Sequence, residues 1–148
     1  MKIPDFLSPT DVMIDVAASD KQKLLLELAR KAGSILELLP DSVFSGLIKR
    51  EELGSTGVGG GVALPHARFQ QVKKPFGMLV RLKKPMDFDA VDAKPVDLVF
   101  ALLLPEAADG EQLGALACIA RKLRNPEITA ALRRARDSAE MYRALTSG

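Results

Sequence analysis

The sequence predicts an α/β fold, a three-layer sandwich in which a small mixed β-sheet carries helices on both faces. Three observations point to it. Amphipathic helical stretches flank a central block of strand-like sequence, residues 98–104 form an unbroken apolar run, and Gly or Pro marks most boundaries. With 148 residues the chain has the size of one domain, 1–148, and can bury a core without staples. Apolar residues are 47% and charged residues 27%, an ordinary globular balance that argues against a disordered or fibrous chain.

Residues 1–19 are short and mixed, with prolines at 4 and 9, and "VMIDV" reads as a brief strand. Asp20 is placed to cap a helix whose apolar face is Leu24, Leu25, Leu28, Ala29 and Ala32, with Gly33 as its C-cap. A second helix is predicted over "DSVFSGLIKREEL", capped by Asp41, with Phe44, Leu47, Ile48 and Glu51 at helical spacing and Gly54 as its stop. "GVALPHA" reads as a short strand ending at Pro65. "FGMLVRLKK" alternates like a half-buried strand, with Met78, Val80 and Leu82 on one side and Pro85 as its end. "PVDLVFALLLPE" suits a central strand covered on both faces.

The remainder turns helical. Leu113, Leu116, Ala117, Ala120 and Leu123 fall on one face of a helix around Cys118. Asn125 and Pro126 then provide an N-cap and a first helical residue whose missing N–H costs nothing. Asp137 and Glu140 have capping-box spacing for a last helix.

The bulk numbers narrow the function. A net charge of +2 is too small to argue for nucleic acid. One cysteine cannot form an internal disulfide, and Cys118 reads as a small core hydrophobe. The N-terminus lacks a signal-peptide core and no segment is long enough to span a bilayer, so a cytoplasmic address without membrane insertion is expected. The stretch 121–136 carries six basic residues against one acid, read as a solvated helical face.

The segment "GSTGVGGGVALPHAR", residues 54–68, holds five of the eleven glycines and the only histidine, His66. A P-loop counted from Gly54 requires Lys at 60 and Ser or Thr at 61, and both are Gly. A dinucleotide fingerprint from Gly57 and Gly59 requires a third Gly where Val62 stands. Two readings survive: a tight helix-to-strand connection, or a loop whose amides, Gly59 and Gly60 among them, form an anion-binding concavity for a phosphoryl group. One His and one Cys are too few for a zinc site, and no G-x-S-x-G motif offers a hydrolase nucleophile. A single neutral imidazole can itself accept a phosphoryl group and pass it on. No metal or cofactor is expected.

The segment "REELGSTGVGGGVALPHA", residues 50–67, resembles the active-site block of the fructose/mannitol-type enzyme IIA domains of the bacterial phosphoenolpyruvate-dependent phosphotransferase system. The likeness rests on an acidic residue at 51, Val58-Gly59, and Val62-Ala-Leu-Pro-His66-Ala67. "MDFDAVDAKPVDLVFALLLPE", residues 86–106, is similar to that family's downstream block, and the wording of both segments is nearest its nitrogen-regulatory branch. The resemblance implies a phosphohistidine carrier in which Nε2 of His66 takes the phosphoryl group while a backbone carbonyl holds Nδ1–H. It implies that Arg50 binds phosphoryl oxygens, and that an HPr-like carrier is the donor. Ser55 and Thr56 are candidate hydroxyl donors to the same group, with helix-end capping as the rival role. Many relatives have a second histidine where this chain has Gln112, which can donate a hydrogen bond but carries no charge.

The resulting expectation is a phosphocarrier that regulates targets such as transporters or kinases through its phosphorylation state. Two alternatives stand beside it: a sugar-specific enzyme IIA serving a permease, and a regulatory binding module that works unphosphorylated. Val62, Leu64 and Phe69 are expected to form an apolar docking collar around His66.

Overall fold

The computed structural model describes residues 1–107 and 110–147, apart from the side chains of 111–113. The regular elements among them are β1 (Val12–Val16), α1 (Lys21–Leu36), α2 (Pro40–Leu53), β2 (Gly57–Gly59), β3 (Val62–Ala63), β4 (His66–Phe69), β5 (Phe76–Met86), β6 (Val96–Pro105), α3 (Gly110–Arg124), α4 (Pro126–Arg134) and α5 (Ser138–Thr146).

The sheet runs β1-β5-β6-β3-β2, and β4 also pairs with β6. β6 is central. It meets antiparallel β5 on one edge and parallel β3 and then β4 on the other. Its alternation divides the core. Val99, Ala101 and Leu103 pack under α1 and α2, whereas Leu98, Phe100, Leu102 and Leu104 pack with residues of α3, α4 and α5. Helices thus cover both faces of a mixed sheet, as predicted, and the double coverage explains why β6 reads as a continuous apolar run.

Several boundaries differ from the sequence reading. Gly33 does not end α1; Glu37, with φ 58°, does. Glycine is required at 33 because a Cβ there would stand 2.7 Å from the Leu38 carbonyl oxygen. Asp41 is not the cap of α2: Pro40 takes the first helical position, and Asp41 lies in the first turn, where its charge suits the helix dipole. β5 continues through Pro85, because the ladder to β6 skips from Arg81 to Met86 and asks nothing of the intervening N–H groups. On α3 the buried stripe is Ala115, Ile119 and Leu123, and Ala117 faces solvent; the Leu113 side chain lies outside the described residues.

The caps at Asp20, Asn125 and Asp137 form as expected, each side chain accepting a backbone N–H of its first turn. Glu140 completes the last one differently, accepting the N–H of Arg136 rather than that of the cap. The end of α4 is closed from the sheet. Arg81 on β5 donates to the carbonyls of Leu132, Arg133 and Ala135 at 3.0, 3.2 and 2.7 Å, supplying partners that the helix end lacks.

Candidate functional site

The predicted strand "GVALPHA" is three pieces. β2 and β3 form a hairpin, Leu64 and Pro65 break the ladder, and His66 opens β4 opposite Leu102. Pro65 has no N–H to offer, but its carbonyl accepts from Leu102 N at 2.9 Å and anchors the break to β6. The break leaves the Leu64 carbonyl free of the ladder, and His66 Nδ1 lies 2.8 Å from it. A carbonyl oxygen only accepts, so Nδ1 carries the proton and Nε2 the lone pair. The ring is half-buried. Burial pulls its pKa below the ordinary 6.5; Arg50 pushes the same way, while the Leu64 hydrogen bond and the Glu51 charge oppose. The imidazole is therefore neutral near pH 7, the state a nucleophile needs.

Arg50 and Glu51 come from the last turn of α2. Arg50 Nη1 donates to the Gly54 carbonyl at 2.8 Å, which spends one of its five N–H donors and holds the side chain back along the helix end. Glu51 turns inward and accepts from Thr56 N at 3.0 Å and Thr56 Oγ1 at 2.6 Å. Thr56 is buried, and its carbonyl accepts from Leu64 N at 2.9 Å, which brings the end of α2 alongside the residue that holds His66. Ser55 Oγ donates to the Phe88 carbonyl and accepts from Gly57 N at 3.0 Å. The hydroxyl protons of Ser55 and Thr56 thus serve internal acceptors, and both side chains brace the loop that follows α2.

The glycines are placed elsewhere. Gly60 and Gly61, with φ of 66° and 79°, are the two central residues of the β2–β3 hairpin, a conformation that glycine adopts without strain. The Gly61 carbonyl accepts from Asp97 N and Leu98 N, four residues before Leu102 on β6, so the turn lies about 13 Å along the strand from His66. The phosphoryl cradle expected at Gly59 and Gly60 would have to form at that distance from the ring. The turn does bind an anion, but that anion is the protein's own Asp92, which accepts Gly60 N at 3.0 Å. The N–H groups of Gly60 and then Lys94 hold the Asp92 carboxyl below its usual range. Arg133 locks the turn from outside, donating to the Gly60 carbonyl at 2.7 Å and gripping both Asp97 oxygens at 2.9 Å.

The structure therefore brings Arg50, Ser55 and Thr56 to the His66 end of the sheet and leaves Gly59 and Gly60 at the other. The Gln112 side chain lies outside the described residues. Val62, Leu64 and Phe69 are core residues, not an exposed collar. The large exposed apolar side chains nearest the segment are Leu53, Val58 and Val91. Glu51 had one visible signal in the sequence, an acid inside the apolar stripe of its helix. Asp92 and Arg133 had none, because partners 32 and 73 residues from Gly60 leave no local pattern. Among the described residues no three His, Cys, Asp or Glu side chains are grouped to hold a metal, and no helix is long and apolar enough to cross a membrane.

Comparison with known proteins shows the family and the fold. Residues 5–148 match the family model described as phosphoenolpyruvate-dependent sugar phosphotransferase system, EIIA 2. A nitrogen regulatory protein from Bradyrhizobium diazoefficiens is 43% identical over 145 residues, covering 98% of this chain and 95% of the relative. One from Pseudomonas aeruginosa is 36% identical over 143 residues, covering 96% and 93%. The crystal structure of nitrogen regulatory protein IIA-Ntr from Neisseria meningitidis superposes with a TM-score of 0.92 at 38% identity, covering 97% of this chain and 99% of that one.

Proposed function

This chain belongs to the EIIA 2 family of the phosphoenolpyruvate-dependent sugar phosphotransferase system, and on that premise we propose that it is a cytoplasmic phosphohistidine carrier with a regulatory role, loaded on His66 by an HPr-like protein. The observation that carries the proposal is the Nδ1–H of His66 on the Leu64 carbonyl, which leaves Nε2 as the nucleophile. In the transfer, the Nε2 lone pair forms the new N–P bond. The N–P bond of the donor's phosphohistidine breaks, and its electron pair returns to the donor imidazole. The proton on Nδ1 stays where it is, so no general base is required. The neutral ring suits the acceptor state. The positive charge that develops on it in the transfer is met by the Leu64 carbonyl and the Glu51 carboxylate.

Arg50 supplies the counter-charge for the incoming group. Four of its N–H donors remain after the Gly54 contact, enough for a two-point grip on phosphoryl oxygens. In this reading Ser55 and Thr56 brace the loop beside the ring, and Gln112 is proposed as a further hydrogen-bond donor to the phosphoryl group. Phosphorylation adds about two negative charges to a half-buried site. That changes which surfaces dock there, and so makes the carrier a signal to protein targets such as transporters or kinases. The names of the nitrogen regulatory relatives support the regulatory role over sugar delivery.

Incubation with enzyme I, an HPr-like carrier and phosphoenolpyruvate is expected to add one acid-labile, base-stable phosphoryl group. His66→Ala removes it, and Arg50→Gln slows its appearance by roughly 10²-fold. Wild-type protein that takes no label, or His66→Ala that takes it equally, overturns the proposal. Efficient onward transfer to the cytosolic domain of a sugar permease would reassign the chain to sugar delivery.

A further inference from the structure

Glu51 is a carboxylate with only 6% of its side chain exposed, set in the buried stripe of α2 with Val43 and Leu47. Burying a carboxylate is costly unless its lone pairs are used. Here they are. Oε2 accepts from Thr56 N and from Lys21 Nζ, each at 3.0 Å, and Oε1 accepts from Thr56 Oγ1 at 2.6 Å. Lys21 reaches further, to the Phe88 carbonyl and Asp89 Oδ2, both at 3.2 Å, and stands 5.0 Å over the Phe88 ring. Burial lowers the pKa of this ammonium, but its bonds to Glu51 and Asp89 outweigh the burial and keep it charged. One ion pair thus ties together the start of α1, the end of α2, residues 54–56 and residues 88–89.

The connection continues to the histidine. The Thr56 carbonyl accepts from Leu64 N at 2.9 Å, and the Leu64 carbonyl takes Nδ1 of His66 at 2.8 Å. Every step from Lys21 through Glu51, Thr56 and Leu64 to His66 is a hydrogen bond of ordinary length. A chain of that kind transmits position, because moving one member lengthens the next bond.

Building on the phosphocarrier reading, we propose that Glu51, with Lys21 as its counter-ion, is a positioning residue for His66. It fixes Thr56, and through Thr56 the Leu64 carbonyl that selects the imidazole tautomer and directs the Nε2 lone pair. A purely structural ion pair would change stability and leave the tautomer alone.

The test uses full-length protein. His66 is the only histidine, so its ring nitrogens are read without ambiguity by 15N chemical shift. Glu51→Gln sets a carboxamide N–H₂ against groups that are themselves donors. It is expected to lower the share of the Nδ1–H tautomer and to move the His66 titration midpoint down. The rate of phosphoryl acceptance should fall about tenfold or more at matched folded fraction, since small misplacements of a reacting atom are that costly. Lys21→Met leaves both Thr56 bonds in place and should fall between wild type and Glu51→Gln. A folded Glu51→Gln protein with the wild-type tautomer ratio and rate overturns the proposal. If that variant does not fold, Thr56→Val decides: it keeps the N–H bond and loses only the hydroxyl bond, and wild-type values there also overturn it. If wild-type protein accepts no phosphoryl group, the carrier reading fails, and the tautomer measurement still judges Glu51.

Discussion

Replacing the hairpin glycines one at a time separates a structural turn from a phosphoryl cradle. At Gly60, φ is 66° and a Cβ would meet nothing within 4 Å, so alanine there costs only the left-handed conformation, about 1 kcal/mol. At Gly61, φ is 79° and a Cβ would stand 2.5 Å from Arg133 Nη2 and 3.0 Å from Asp97 Oδ1. The guanidinium is the end of a flexible side chain and can move away, but it then gives up its bonds to Asp97 and the Gly60 carbonyl. The ion pair is partly exposed, 35% and 26%, and contributes up to about 1 kcal/mol. The carbonyl bond contributes about another 1 kcal/mol. Gly61→Ala should therefore lose about 2–3 kcal/mol against about 1 for Gly60→Ala. At about 2–4 °C per kcal/mol for a chain of this length, the Tm values should fall by about 4–12 °C and 2–4 °C. Urea titration followed by circular dichroism measures the loss, and the phosphoenolpyruvate-driven label on His66 measures function. Both variants should label at the wild-type rate when folded. A tenfold loss of labelling in folded Gly60→Ala would assign the turn to the active site, and a larger destabilisation at Gly60 than at Gly61 would refute the crowding by Arg133 at Gly61.

Two further outcomes follow from the same structure. Arg81→Met keeps the buried stem but leaves the end of α4 without its donors, and should cost about 2–3 kcal/mol in urea titration; a loss below about 0.5 kcal/mol would show that water replaces the guanidinium. The folded His66 pKa lies below its unfolded 6.5, so the unfolded chain binds more protons in that window. The histidine's contribution to stability is therefore complete above pH 6.5 and is lost as pH falls through 6.5 toward the folded midpoint. His66→Gln should flatten that part of the stability profile, and an NMR midpoint at or above 6.5 in the folded protein would contradict the sign.

Much of this protein was legible in its sequence because the signals were local. Hydrophobic period, caps and proline positions depend on neighbours a few residues away, and they located the five α-helices of the described residues and the central strand. Where the reading slipped, a contact distant in sequence had overridden a local rule. Gly33 looks like a helix end because glycine usually is one; it is glycine because the Leu38 carbonyl crowds it. Pro85 looks like a strand end, but the skipped ladder with β6 tolerates it.

The site divides along the same line. The sequence alone determined that a lone imidazole follows a pliable segment in a pattern shared with phosphoryl carriers, and it put forward Arg50 and His66 as candidates. Only the tertiary structure decided which groups meet the ring. Proline at 65 and the pairing of β4 with β6 free the Leu64 carbonyl for Nδ1. Bonds through Thr56 and Leu64 connect Glu51 to the ring, and long-range bonds hold the glycine turn to Asp92 and Arg133 at the far end of the sheet. Backbone freedom is written in residue type, whereas the partner of a freed amide depends on which distant strand the sheet sets beside it.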